Sequence, residues 1–186
     1  MKRVLCAIAV AGLVAAACGG AAAPAATTAP AAAKTTAAPT PQTVYVFTAD
    51  MTAANEVPPV TDAEASGSGT TTVTLTTTKD STGKITAATA KFEIVHKGFP
   101  ATTMITISHI HKGGPTVAAG VVLDSGMKAT EPIALTTGGT SITKDNLTVA
   151  PDLAAAIIAT PADYYYNVHS VVHPGGVVRA QLKAKS

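Results

Sequence analysis

The sequence predicts an all-β domain, an antiparallel Greek-key β-sandwich with one short helix, which follows a disordered tether. Three observations predict this fold. Segments rich in Val, Ile and Thr recur after residue 42, and some alternate apolar and polar residues as half-buried strands do. Gly- and Pro-containing turns separate them at short intervals. About 140 residues are available, which is the size of one domain with a single core.

The predicted elements follow the chain in order. Five strands are predicted at 43–50, 69–78, 84–96, 104–111 and 120–124. Residues 79–83 form a hairpin loop between the second and third strands. A short helix is predicted at 152–158, after Pro151 and before Pro161. Residues 164–182 read as a strand, a Gly/Pro turn and a last strand.

The N-terminus carries a targeting signal. Lys2 and Arg3 precede an apolar run, so residues 1–17 are predicted to be a signal peptide. The small residues that end this run, followed by Cys18, resemble a bacterial lipobox, in which the cysteine is lipidated. The resemblance implies an exported lipoprotein that is held at the cell membrane through Cys18 and faces outside the cytoplasm. Secretion after cleavage is the alternative.

Residues 18–42 are predicted to be a disordered tether, and the folded domain is predicted at 43–186. The tether is almost entirely Ala, Pro, Thr and Gly, with Lys34 as its only charge. Such a segment has no large apolar side chains whose burial would offset the entropy of ordering the chain. It should therefore hold the domain away from the membrane surface.

Charge and cysteine content exclude several classes of function. The whole chain has 13 basic and 11 acidic residues, and two of the basic ones lie in the signal peptide. The remainder is formally neutral and has no basic cluster, so nucleic acid is not expected as a partner. Cys6 lies in the signal peptide and Cys18 is assigned to the lipid. The domain therefore has no disulfide, thiolate ligand or cysteine nucleophile.

The histidines carry the most distinctive chemistry. Residues two apart on a strand share a face, so His109 and His111 are expected to point the same way, together with Ile105 and Ile107. Neutral imidazoles at this spacing suit copper or zinc. The last hairpin adds two more: His169, which shares a face with Tyr165 and Asn167, and His173, which lies in the turn. A second interpretation makes these histidines part of a polar hydrogen-bond network.

Other polar residues receive plainer interpretations. Tyr165, Asn167 and Arg179 are expected to form a structural or ligand-binding network, in which Arg179 pairs with a carboxylate or a backbone carbonyl. His96 is interpreted as a surface residue. Three acidic residues are interpreted as solvated loop charges, namely Glu56, Asp62 and Glu64. No catalytic nucleophile is predicted, because no Gly-x-Ser-x-Gly elbow is present, and whether the protein is an enzyme stays open.

Three motifs stand out in the sequence, namely SHIHKGG at 108–114, YYYNVHSVVHPGGVVRAQL at 164–182 and ANEVPPV at 54–60. They resemble the motifs of the CHRD family, the domain named after chordin. The resemblance spans most of the chain after residue 42. It implies the fold and an extracytoplasmic location more strongly than it implies an activity.

A more distant resemblance is to copper/zinc superoxide dismutases, which are also Greek-key sandwiches with a His-x-His strand. It implies that His109, His111 and His169 are copper ligands, with His173 as a possible fourth. It also implies that Arg179 guides substrate at the mouth of the site. The chain has no counterpart of the disulfide or of the zinc-binding loop of those enzymes.

Two functions follow from these observations. The first is a membrane-anchored extracytoplasmic binding module, acting through a histidine-rich site for copper or zinc or through its loops on a protein or glycan partner. The alternative is a copper/zinc-binding redox protein of the superoxide dismutase type.

Overall fold

The computed structural model describes residues 40–185. The predictions for the signal peptide at 1–17, for Cys18 and for most of the tether concern residues outside this range. No helix within it is long and apolar enough to cross a membrane.

Ten strands and one α-helix form the described part of the chain. They are β1 (Gln42–Thr52), β2 (Ser68–Lys79), β3 (Ile85–Lys97), β4 (Met104–Lys112), β5 (Val121–Asp124), β6 (Ile133–Ala134), β7 (Thr140–Val149), α1 (Pro151–Ala159), β8 (Tyr164–Ser170), β9 (Val178–Gln181) and β10 (Lys183–Ala184). Short 3-10 turns at Ala53–Asn55, Ala63–Ser66 and Pro161–Asp163 complete the regular structure.

The strands form one antiparallel sheet in the order β5-β4-β8-β9-β1-β2-β3-β7, with β6 beside β4 and β10 beside β1. The return of β9 to the side of β1, next to the β1–β2–β3 meander, is the Greek-key arrangement. The sheet folds over at the β9–β1 contact, where a single residue pair, Thr52 and Arg179, connects the two strands. The rings of Phe92 on β3 and Tyr166 on β8 pack at 5.4 Å, although three strands separate β3 from β8 in the sheet. The predicted antiparallel sandwich is therefore confirmed.

The core lies between the two layers. Its largest fully buried members include Phe92, Leu75, Ile110, Tyr164 and Tyr166. Alternate residues of β2 and β3 are buried over almost their whole length, as the period of two in the sequence predicts.

The predicted helix is confirmed, and α1 is one residue longer at each end than predicted. Pro151 begins it, which suits the first helical position because proline has no backbone N–H to leave unpaired. Strand β7 was not predicted. Its pairing with β3 shifts register between Ala90 and Phe92, and Asn146 adopts a φ of 54° within it. This irregularity breaks the alternation that marks a strand in sequence.

A bulge in β4 corrects one predicted face. The pairing with β8 shifts between Ile105 and Ser108, so that two residues on β4, Thr106 and Ile107, oppose one on β8, His169. Ile105, Ser108 and Ile110 are consequently all buried, and Ser108 Oγ lies 2.6 Å from the hydroxyl of Tyr166. An unbroken period of two predicts that Ile105 lies on the same face as the histidines. This prediction is wrong, because the bulge places Ile105 on the core face.

The interpretation of His96 as a surface residue is wrong. Its side chain is 2% exposed and lies edge-on to Phe99. Neither ring nitrogen has a hydrogen-bond partner among the described residues. Burial lowers the pKa of His96 to about 4, and the backbone of Thr140 opposes the shift. This burial cannot be predicted from sequence, because it depends on the pairing of the unpredicted strand β7 with this end of β3.

His96 should make the fold sensitive to acid. A folded-state pKa below the ordinary value means that the stability contributed by neutral His96 is complete above about pH 6.5. It is then lost as the pH falls towards 4. Replacing His96 with Leu, which has no titrating group, should remove up to roughly 3 kcal/mol of this pH dependence in the free energy of unfolding. Urea unfolding at pH 7 and pH 4.5 measures it, and parallel profiles for the two proteins would contradict the account.

Candidate metal centre

Three histidines meet on the outer face of the β4–β8–β9 layer. His109 and His111 come from β4 and His169 comes from β8, and one nitrogen from each ring lies within 4.8 Å of the other two. The three side chains are only 5–6% exposed. They point away from the core because Ser108 and Ile110, which alternate with them on β4, face inward.

Hydrogen bonds to backbone carbonyls orient two of the imidazoles. His111 Nδ1 lies 2.8 Å from the carbonyl oxygen of Ala119, and His169 Nδ1 lies 2.8 Å from that of Pro174. A carbonyl oxygen only accepts hydrogen bonds, so both Nδ1 atoms carry the proton. The lone pair of each ring is therefore on Nε2. In His111 that atom is buried and has no hydrogen-bond partner among the described residues.

The contacts of the third imidazole admit either tautomer. His109 Nε2 lies 3.4 Å from Asp124 Oδ2, and His109 Nδ1 lies 3.3 Å from His169 Nε2. A proton on Nδ1 would donate to His169 Nε2 and join the two rings. A proton on Nε2 would face the carboxylate and leave a lone pair on Nδ1, opposite the lone pair of His169. Only the second tautomer makes both of these nitrogens available to one cation.

The three rings are neutral near pH 7. Burial lowers the pKa of His109 to about 4, and the neighbouring His169 acts in the same direction while Asp124 opposes it. Burial also lowers the pKa of His111 and of His169, against the effect of their carbonyl partners. Neutral imidazole is the form that binds transition metals.

Tyr165 packs against His111, and Arg179 packs against Tyr165. The ring of Tyr165 stacks on His111 with centroids 4.7 Å apart and 6° between the planes. The guanidinium of Arg179 lies 3.6 Å from the centroid of the same ring. The hydroxyl of Tyr165 accepts a hydrogen bond from the backbone N–H of Ala119 at 2.9 Å. His111 is thus held by Ala119 at one edge and by Tyr165 on one face.

Arg179 holds the loop between β4 and β5 in place through hydrogen bonds. It is 2% exposed and donates hydrogen bonds to the carbonyl oxygens of Gly114, Pro115 and Val117. Gln181 adds a bond to the carbonyl of Gly113. Of the partners considered in the sequence, the backbone carbonyls are the ones observed. A guanidinium occupied in this way does not stand at the mouth of the centre, as the resemblance to superoxide dismutases had implied.

His173 lies apart from the other three histidines. Its Nε2 donates to Asp62 Oδ2 at 3.0 Å and lies 3.9 Å from Glu64 Oε2. Its backbone N–H donates to Ser170 Oγ, which in turn donates to Glu64 at 2.5 Å. These contacts tie the β8–β9 turn, which supplies the carbonyl of Pro174, to the turn at 63–66.

The interpretation of Glu56 and Glu64 as solvated loop charges is wrong. Their side chains are 6% and 4% exposed, whereas Asp62 is exposed as expected. Burial raises the pKa of Glu56 to about 7, although the charge of Arg179 and a hydrogen bond from Asn167 oppose the shift. The segment 53–67 folds over the polar face of the β4–β8–β9 layer. The loop-like composition of this segment does not indicate that its carboxyl groups are buried.

The family assignment rests on a match that covers most of the chain. The family model of the CHRD domain matches residues 47–182, which include every strand from β2 to β9 and all the residues of the candidate centre. The chain belongs to the CHRD domain family. Searches of curated proteins and of solved structures found no match. A role as a binding module is in keeping with a CHRD domain.

Sequence reasoning named the three histidines of this CHRD domain but missed the residues that orient them. Asp124, Ala119 and Pro174 each place an oxygen against one imidazole. Two of these are backbone carbonyls, for which residue identity gives no signal. Asp124 ends a predicted strand, and its pairing with His109 across β5 and β4 could have been found only with the register known.

Proposed function

We propose that this CHRD domain is an extracytoplasmic binding module for one copper or zinc ion, held by His109, His111 and His169. The observation that carries the proposal is the convergence of three ring nitrogens within 4.8 Å of one another. The tautomers of His111 and His169 support it, because both leave the lone pair on Nε2, and His111 Nε2 has no hydrogen-bond partner among the described residues.

The spacing of the nitrogens agrees with a bound ion. A metal–nitrogen bond of about 2.0–2.1 Å and tetrahedral angles separate two ligand nitrogens by roughly 3.3 Å. The distance from His109 Nδ1 to His169 Nε2 is 3.3 Å. His111 would close the third position with Nε2, and a water or a small ligand would complete the coordination.

The outer contacts of the rings support the same function. Metal-binding histidines usually donate their second N–H to a carboxylate or a carbonyl, which fixes the tautomer and the ring orientation. Here Asp124 serves His109, while Ala119 and Pro174 serve the other two. Imidazole ligands without thiolate or carboxylate favour copper and zinc over calcium or magnesium, which prefer oxygen.

Metal titration tests the proposal. The purified protein should take up one Cu(II) or Zn(II) per chain, measured by calorimetry and elemental analysis. Replacing His109, His111 or His169 with Ala should weaken binding by more than the roughly 10- to 100-fold typical of losing an outer contact. His96→Leu is the matched control, because it removes a buried histidine of β3 that lies outside the cluster and should leave the affinity unchanged. Absence of uptake by the wild type, or equal loss in the control, would contradict the proposal.

We also propose that the domain is held at the outer side of a membrane by a lipid on Cys18. The support is the signal-like sequence at 1–17, with small residues before Cys18. The wild type, expressed in a bacterial host, should fractionate with membranes and show the mass of a diacylglyceryl group on its N-terminal peptide. Cys18→Ser should release it from the membrane fraction. A wild type that is cleaved, unmodified and found in the medium would instead establish secretion.

A further inference from the structure

A carboxyl group without enough hydrogen-bond donors lies beside the candidate metal centre. Oε1 of Glu56 has no hydrogen-bond partner among the described residues, and Oδ1 of Asn167 also has none. Both atoms are acceptors when Glu56 is ionised, so two buried acceptors would remain unsatisfied. A proton on Glu56 turns the carboxyl into a donor for which Asn167 Oδ1 is an acceptor, in addition to the hydrogen bond that Asn167 donates to the carboxyl group.

Gly176 packs against one side of the Glu56–Asn167 pair. A Cβ atom on Gly176 would lie 2.6 Å from Glu56 Oε2 and 2.6 Å from Asn167 Nδ2, so the backbone of Gly176 lies directly against both side chains. Gly176 also has a φ of 137°, which an L-residue with a side chain rarely adopts. Water therefore cannot reach the carboxyl group from the side of Gly176.

Asn167 is the neighbour that Glu56 shares with the histidines. It is the cross-strand partner of His109 on β4 and of Arg179 on β9. His169 follows it by two residues on the same face of β8. One amide side chain thus stands between the buried carboxyl and the proposed ligands.

Charge links the two places. Three neutral imidazoles and the exposed carboxylate of Asp124 compensate only part of the charge of a divalent ion, and in a buried setting the remaining charge favours ionisation of a nearby carboxyl group. Glu56 also lines a pocket of about 600 Å³ and another of about 310 Å³, which give its proton a way to solvent. Arg179 is the charged group that acts on Glu56, and the same two pockets are lined by Asp50, Lys183, Asp62 and His173. At constant pH these groups stay as they are, and the bound metal ion is the added charge.

We propose that Glu56 is a proton-binding site coupled to the metal centre. It holds a proton when no metal ion is bound, and it releases that proton to solvent when a divalent ion binds at His109, His111 and His169. The inference rests on the proposed metal-binding function. It makes metal uptake dependent on pH through a carboxyl group that is not itself a ligand.

Proton release during zinc binding tests the coupling. Calorimetric titration with zinc chloride at pH 6, in two buffers of different ionisation enthalpy, gives the number of protons released per ion. The wild type should release close to one, and Glu56→Gln should release close to none. Glu93→Gln removes an exposed glutamate of β3 that takes no part in the centre or its supports, and it should behave as the wild type. The zinc affinity of the wild type should rise about tenfold from pH 6 to pH 8, while that of Glu56→Gln stays nearly constant.

A measurement on the metal-free wild type guards against misfolding of the variant. The chain has four glutamates, so the side-chain carboxyl signals of protein labelled with ¹³C-glutamate can be followed separately through a pH titration. Without metal, one signal should titrate near pH 7, and saturating zinc should lower its midpoint by about two pH units or more.

The outcomes separate the two proposals. Zinc binding with equal proton release in the wild type and in Glu56→Gln would overturn the coupling and leave the metal site intact. Titration of all four glutamates at ordinary values in the metal-free protein would also overturn it. Failure of the wild type to bind zinc or copper would overturn both the coupling and the proposed function.

Discussion

The orientation of the three imidazoles depends on one kind of interaction, the contact of each outer ring nitrogen with a fixed protein oxygen. His111 and His169 donate to carbonyl oxygens at 2.8 Å, and His109 faces the carboxylate of Asp124. The carbonyl contacts leave the lone pairs of His111 and His169 on Nε2, and a proton on His109 Nε2, facing Asp124, would leave the third lone pair on Nδ1. The polar-network interpretation of the histidines requires every ring nitrogen to be satisfied, and His111 Nε2 is not. This is the physical reason to favour a cation site.

The rest of the structure serves to hold those oxygens in place. The loop after β4 would be free to move away from His111 without Arg179, which binds three of its carbonyls and packs on Tyr165. The turn after β8 is held by His173, which pairs with Asp62. The β-bulge in β4 gives Ser108 to the core and the histidines to the outer face. The strands therefore supply the histidines, and the loops orient two of the imidazoles through backbone carbonyl oxygens.

The part of this arrangement that can be read from sequence is the part governed by local periodicity. The period of two places His109 with His111, and it places Tyr165 with His169, because each pair lies on one regular strand. The bulge before Ser108 and the irregular strand β7 cannot be read in this way, since each depends on how a neighbouring strand pairs. The burial of Glu56 was missed for a related reason. Whether a loop covers a polar face depends on its tertiary contacts, and these cannot be predicted from amino-acid composition.

The most direct test of this account is the tautomeric state of the three histidines in the metal-free protein. Long-range ¹H–¹⁵N correlation NMR of ¹⁵N-histidine protein at pH 7 distinguishes the Nδ1–H, Nε2–H and doubly protonated forms. The account predicts neutral rings, with Nδ1–H in His111 and His169 and Nε2–H in His109. A protonated imidazolium in the cluster, or a proton on the nitrogen that faces the other two rings, would contradict it, because no lone pair would then be ready for a metal ion.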